Sequence, residues 1–479
     1  MEIGHFAAFG AYFLIILIIG IFSHRAQNTS KDFNIGNRSL SFWVTAFSAH
    51  ASDMSGWLFM AFPAAIFTGG LPQAWIGLGL LLGMFLNWQL VSKRLRVETE
   101  QNNSYTLSTF FENKFHDRSG ALRILTAIMA VTFLTFYLSA GLVIMGTLLE
   151  SVFNINYYFG LSIAMLVVMT YTFIGGYYTI AQVDFFQAIF LMLMIIFVPV
   201  VIFFQMNNPI QTILDVSKSH NISLSLFGNF DLKTSINTFF LLSSWGLGYF
   251  GQPHIITKFM GIHNPNDLKK SKYVGMAWQF TTLTAAVCIG ILGIGYYNAQ
   301  LANPELVFVD MVQGLFNPLI AGFILCGVLA ANMSTMDSQI LVCSSILSED
   351  LYKFIVKKHA TPRELLLVSR IGVILVSLFS LSIAFYRSGT ILDAVLYAWS
   401  GLGSSFGPLI LMSLYFKRCN KYGAIAGILV GGITAGLWTT FIKPHQFPII
   451  IPAMVPGFAL SLISIFVVSL LTQKEVKTA

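Results

Sequence analysis

Charge is what this sequence has least of. Asp, Glu, Lys and Arg make up 10% of its 479 residues, where soluble domains carry about 25%. A soluble core does not absorb the resulting excess of apolar surface, because chains of this length normally divide into several domains. Cysteine is equally sparse. Cys288, Cys326, Cys343 and Cys419 show no paired spacing, which excludes a disulfide framework and a cysteine metal cluster. The apolar stretches hold no paired acids, no nucleophile–base set and no ligand cluster, so an enzyme is the weakest functional class. No basic residue precedes the first apolar run, which argues against a cleavable signal peptide. That run is expected to be a retained helix.

What is present is apolar length. Hydrophobic residues reach 56% and aromatic residues 14%, and a bilayer core takes about 20 mostly apolar residues per helix. Such runs fall at 4–23, 41–68, 71–93, 121–150, 157–180, 183–205, 235–257, 273–298, 315–346, 365–386, 389–416, 422–442 and 449–471. The expectation is an all-α integral membrane protein of about thirteen transmembrane helices. Of the 27 Lys and Arg residues, all but Lys218, Lys233, Arg387 and Lys443 lie in connections on one side of this arrangement. By the positive-inside rule the N-terminus is outside and the C-terminus cytoplasmic. The same distribution explains the net charge of +7 without nucleic acid. Two connections have room for structure. Residues 94–120, with Thr106, Phe110, Phe111 and Phe115 at helical spacing, predict an interfacial cytoplasmic helix. The outer segment 207–234 reads as a lid or plain loop.

Two runs depart from ordinary spans. The second contains Ser48 to Trp57, polar and small residues in mid-membrane. The seventh contains Gly246, Gly248, Gly251 and Pro253 within a short stretch. Unwound backbone at membrane depth is tolerated only where it is buried or lines a wet cavity. Interrupted segments at matching places in two halves point to a transporter binding site. Each begins a block of five helices, 41–205 and 235–416, and an odd number per block inverts the topology. The expectation is a five-plus-five inverted repeat (helices 2–6 and 7–11) within a single transporter domain, 1–479. For any one glycine, tight helix packing is the simpler reading; two polar, broken stretches five helices apart favour a site.

At these residues the chain resembles the sodium/solute symporters, and more narrowly the bacterial sodium/proline symporters. The resemblance runs end to end. Its most specific stretches are Ala51 to Trp57, Trp245 to His254, Phe173-Ile174-Gly175-Gly176 with Asp184 and Gln187, and Leu329 to Thr335. It implies a leucine-transporter-like fold, alternating access, sodium as the co-transported ion, L-proline as solute and residence in a bacterial inner membrane.

Sodium is a hard ion that takes oxygen ligands, as its divalent relatives do. Ala331, Ser334 and Thr335 share one helix face, and a break near Asp53 would free the carbonyls of Ala51 and Met54 at a half-helix end that favours cations. The resemblance makes these five residues the sodium site. The competing reading is that Ser334 and Thr335 bond back to their own helix. Asp53 and Asp184 are expected as sodium-associated acids; Asp184 reads equally as a helix cap, and Asp337 stands open between roles.

For the solute, the N–H groups near Ser55 and Gly56 begin a half-helix that would hold a carboxylate. Trp245 and Tyr249 share an aromatic face, Gln252 and Pro253 sit at the second break, and Trp57 and Tyr137 complete the wall. The resemblance points to Trp245, Tyr249, Pro253, Tyr137, Ser55 and Gly56 as the solute contacts. His50 and Asn332 depart from the family pattern. A membrane histidine would carry protons, but the simpler reading is a buried, hydrogen-bonded one. The rival functions are a symporter for another small amino acid or carboxylate, and, in another class, a channel or a transport-inactive nutrient sensor.

Overall fold

The computed structural model describes residues 3–23, 30–228, 232–386, 389–441 and 451–473. The basic residues Arg25, Arg387, Lys443, Lys474 and Lys477 lie outside them. Among the described residues the regular structure is helical: α1 (Ile3–Ser23), α2 (Ser30–Ile35), α3 (Phe42–Ala51), α4 (Ala61–Gly69), α5 (Trp75–Asn87), α6 (Lys93–Gln101), α7 (Leu107–Lys114), α8 (Ala121–Phe153), α9 (Tyr157–Ile174) and α10 (Tyr177–Gln205). It continues with α11 (Pro209–Ser219), α12 (Leu232–Gly248), α13 (Pro253–Met260), α14 (Leu268–Tyr296), α15 (Val307–Leu315), α16 (Pro318–Ser345), α17 (Pro362–Ala384), α18 (Ile391–Tyr415), α19 (Lys421–Phe441) and α20 (Met454–Leu471).

Local sequence sets the helix starts. Asn317 accepts the Ile320 N–H at 3.1 Å ahead of Pro318, Thr361 accepts that of Glu364 at 3.3 Å ahead of Pro362, and Thr390 accepts that of Asp393 at 3.1 Å. Each side-chain oxygen satisfies an orphan donor, and a proline in the first turn has no N–H to waste. Ten helices among the described residues are long and apolar enough to cross a membrane. The second and seventh apolar runs are each split, into α3 with α4 and α12 with α13, so neither half reaches that length.

The two long connections behave differently from each other. Between 94 and 120, α6 continues the preceding span and only α7 stands apart; its Phe110 and Phe111 are fully buried against the protein. The segment expected as a lid or loop holds α11, whose Ile213 and Val216 face inward while Ile210 and Leu214 are exposed. Pro209 at its first position and apolar residues at helical spacing account for it.

Glycines bring helices together. A Cβ on Gly79 or Gly83 of α5 would run into the backbone of α12 at Leu242 or Gly246, so Gly246 serves close packing rather than unwinding. On the face where basic residues gather, Leu40 before α3 pairs with the end of α13: its N–H reaches Gly261 O at 3.1 Å and its carbonyl takes His263 N–H at 2.9 Å. Arg38 donates to the carbonyls of Met260 (2.7 Å) and Ser104 (3.0 Å), and Arg96 to that of Ile262 (2.9 Å). Burial, then the neighbouring Arg96, lowers Arg38 to about 10, so it remains a cation at the carbonyl end of α13, where cations are stabilised.

Candidate functional site

The first break follows from where backbone donors go after α3. In an intact helix Ser55 N–H would take Ala51 O and Leu58 N–H would take Met54 O. Here Ser55 N–H donates to Asp53 O at 3.1 Å and Leu58 N–H to Ser55 O at 3.0 Å. The carbonyl of Ala51 is instead met from α16. Ser334 Oγ donates to it at 2.9 Å and Thr335 Oγ1 lies 3.3 Å from it. The same hydroxyls also lie near their own helix, Ser334 at 2.9 Å from Ala330 O and 3.0 Å from Ala331 O, Thr335 at 3.2 Å from Ala331 O. Back-bonding and the reach across to α3 therefore coexist. All of these residues are buried.

Asp184 on α10 lies deeper than a cap would. It is fully buried, accepts from Ser48 at 2.7 Å and pairs with Lys258 Nζ of α13 at 2.9 Å. Ser52 lies 3.5 Å from the same oxygen and 2.9 Å from Ser338 Oγ of α16, and Ser338 is 3.3 Å from Asp337 Oδ1. A carboxylate, an ammonium and three hydroxyls thus join α3, α10, α13 and α16 next to the freed carbonyls.

The second break has a specific cause. Pro253 carries no N–H for Tyr249 O, and its ring drives Gln252 to an extended conformation (φ −89°, ψ 103°). Helix α13 starts afresh at Pro253. Gly248 and Gly251 instead admit α18: a Cβ on Gly248 would collide with the Trp399 indole, and one on Gly251 with the backbone at Leu402 and Gly403.

The two breaks meet through Tyr249, whose hydroxyl donates to Asp53 and accepts from Gln279 Nε2 of α14 at 2.8 Å. Trp57 and Trp245 lie 5.7 Å apart between ring centroids, Trp245 and Trp399 6.2 Å, and Tyr249 meets Trp399 edge-on at 5.0 Å. Trp399 Nε1–H donates to Trp245 O at 3.1 Å, while Gln252 Nε2 lies 3.1 Å from Gly248 O and 3.2 Å from Trp399 O. Such aromatic clusters combine a large apolar area with fixed geometry. Tyr137 of α8 packs edge-on against His254 of α13 at 5.6 Å and lies beside Ser55 and Asp53 of the first break. The N–H groups offered to a carboxylate are both engaged, that of Ser55 as above and that of Gly56 by Asn332 Oδ1 at 3.3 Å.

The structure also brings in residues the sequence reading passed over. Trp399 and Gln279 sit inside long regular helices with no local signal, and Lys258 reads as a loop charge at the edge of an apolar run. His50 is a core residue: Trp88 Nε1–H donates to its Nε2 at 3.2 Å, and its ring stacks on Trp88.

Residues 33–431 match the family model described as the sodium:solute symporter family. The high-affinity proline transporter PutP of Bacillus subtilis (strain 168) is 42% identical over 462 residues, 96% of each chain. The sodium/proline symporter of Staphylococcus aureus (strain JH9) is 40% identical over 474 residues, covering 97% of this chain and 92% of the relative. In fold, the chain matches the substrate-bound outward-open state of a Na+-coupled sialic acid symporter with a TM-score of 0.82, at 17% identity over 98% of each chain. It also matches MhsT in complex with L-phenylalanine with a TM-score of 0.56, at 15% identity over 90% of this chain and 98% of that one.

Proposed function

Because this chain belongs to the sodium:solute symporter family, we propose that it couples sodium influx to the uptake of L-proline across the bacterial plasma (inner) membrane. The relatives named as proline carriers support the solute and the ion, and the helical architecture supports a multi-pass carrier. Adding α3–α4, α9 and α12–α13 to the ten long helices gives thirteen spans. In this reading the N-terminus is outside, the C-terminus is cytoplasmic, and 41–205 and 235–416 are the inverted repeats.

One observation carries the mechanism: two hydroxyls of α16 converge on a carbonyl that the break in α3 has released. Sodium takes the carbonyls of Ala51, Met54 and Ala331 with Ser334 Oγ and Thr335 Oγ1. Asp53 and Asp184 add negative charge nearby, Asp53 next to the solute wall through Tyr249 and Asp184 beside Lys258. The proline carboxylate is held at Ser55 and Gly56, where it must compete for the Gly56 N–H. Its ring lies among Trp57, Trp245 and Tyr249, with Tyr137, Gln252 and Pro253 closing the pocket. Sodium pins the broken backbone first, solute follows, and the loaded carrier alternates its opening. One charge crossing ~100 mV gains about 2.3 kcal/mol, enough for roughly 50-fold accumulation.

The test is uptake of radiolabelled L-proline into proteoliposomes with and without an inward sodium gradient, beside Ser334→Ala. The expected result is saturable, sodium-dependent uptake, with the variant needing about ten-fold more sodium, a loss of about 1.4 kcal/mol. Proline uptake indifferent to sodium would refute the coupling. Uptake silent under sodium, lithium and proton gradients would refute the solute.

A further inference from the structure

Asn332 follows the proposed sodium ligand Ala331 on α16 and is completely buried. A buried amide is costly unless its hydrogen bonds are made. Its Oδ1 accepts the Gly56 N–H at 3.3 Å, and its Nδ2 donates to Gly141 O of α8 at 2.7 Å. The Gly56 N–H is a donor that the break releases, since in an intact helix it would reach Ser52 O. One neighbour is a donor and the other an acceptor, which fixes the orientation of the amide.

Both flanking residues are glycines, and the amide occupies the space they leave. A Cβ on Gly141 would lie 3.4 Å from Oδ1 and 3.0 Å from Met336 Cγ; one on Gly56 would lie 3.5 Å from Oδ1 and would collide with Ile144. Gly141 is one helical turn after Tyr137 on α8. A single side chain therefore joins the helix of Ala331, Ser334 and Thr335, the unwound segment at Gly56, and the helix of Tyr137.

We propose that Asn332 is the positioning residue that transmits sodium occupancy to the solute site, by fixing the Gly56 N–H relative to the sodium-binding helix. Sodium on Ala331, Ser334 and Thr335 holds α16 in register, and Asn332 extends that register to the N–H that receives the solute carboxylate. The carboxylate then displaces Oδ1 from the Gly56 N–H, or shares that donor with it, so solute binding reports on the position of α16. This inference rests on the sodium and solute roles proposed above for those residues.

The experiment measures equilibrium L-proline affinity of the purified full-length protein with and without saturating sodium, for the wild type, Asn332→Leu and Asn332→Asp. Sodium affinity in the absence of proline is read alongside from tryptophan fluorescence. Asn332→Leu keeps the shape and loses the hydrogen bonds to Gly56 and Gly141, with the weaker one to Met336 Sδ on its own helix; the sodium-induced tightening of proline binding should shrink about five-fold, the scale of one net hydrogen bond. Its sodium affinity alone should stay within about two-fold of wild type on the same reasoning, because no proposed ligand is removed. Asn332→Asp keeps an acceptor for Gly56 and should retain more of the tightening than Asn332→Leu. A merely structural role would lower thermal stability and leave the tightening intact. Full tightening in Asn332→Leu, or in Asn332→Ala should the leucine variant not fold, overturns the inference. A wild-type protein whose proline affinity ignores sodium instead overturns the coupling on which it rests.

Discussion

Two buried ionisable residues show how far side-chain surroundings decide a role. His50 is enclosed by the rings of Trp88 and Trp278, and a Cβ on Gly275 would strike its imidazole. With Nε2 accepting from Trp88, the ring serves as a packed acceptor rather than a proton carrier. Proline uptake by His50→Gln, driven by a sodium gradient, should therefore match the wild type within about two-fold between pH 6 and pH 8, a change below the scale of one hydrogen bond. A pH dependence that the wild type shows and the variant loses would restore the proton reading. Asp184 and Lys258 make the opposite case, because both are withdrawn from water, with side chains 0% and 2% exposed. Lys258→Met leaves the carboxylate without its ammonium, and breaking one half of a buried pair costs about 3–5 kcal/mol. Melting of the detergent-solubilised variant should fall sharply, and the double variant with Asp184→Asn should recover much of the loss. Equal melting of wild type and Lys258→Met would remove the pair from the account. The sequence shows Lys258 only as a charge at the end of an apolar run, because Asp184 is 74 positions away.

The broken helices separate what local composition reveals from what it hides. Both interruptions are legible: a polar stretch at Ser48 to Trp57, and glycines with a proline at Gly246 to Pro253. What the glycines do at the second is not, because glycine is equally suited to unwinding and to close approach. Its role is settled by helices remote in sequence, α5 against Gly246 and α18 against Gly248 and Gly251. Pro253 is the element that ends α12. Replacing it by Ala would restore the N–H and permit a continuous helix from α12 into α13. That change should lower proline transport at least ten-fold, since Tyr249 would swing from Asp53, a loss of about 1.4 kcal/mol or more. It should cost little thermal stability, because helix propensity rises. Transport near the wild-type rate in Pro253→Ala would show that the interruption is dispensable. Trp399 and Gln279 escape local reading for a related reason. Each lies in an unbroken helix, and only the packing of α18 and α14 on the second break gives them a role at Trp245 and Tyr249.

At the scale of the whole molecule, the distribution of charge carries the orientation. Membrane helices are similar to one another in composition, so helix count is easily misjudged at the split runs, where no half reaches full length. The basic residues escape that ambiguity because they record sides rather than helices. On the basic face Arg38 and Arg96 reach the carbonyl end of α13, so the charges that record the side also fasten the second broken helix there. Lys218 at the end of α11 and Lys269 at the start of α14 are both exposed, and the α12–α13 pair lies between them. If that broken pair is one crossing and the basic face is cytoplasmic, the two positions lie on opposite sides. In a cysteine-free background, needed because Cys288 is exposed, Lys218→Cys should react with a membrane-impermeant maleimide on intact cells. Lys269→Cys should react only after permeabilisation. The reversed pattern would invert the orientation while preserving the fold. Labelling of both from one side would mean that α12 and α13 return to the face they left, which would remove the inverted repeat and the shared site between the two breaks together.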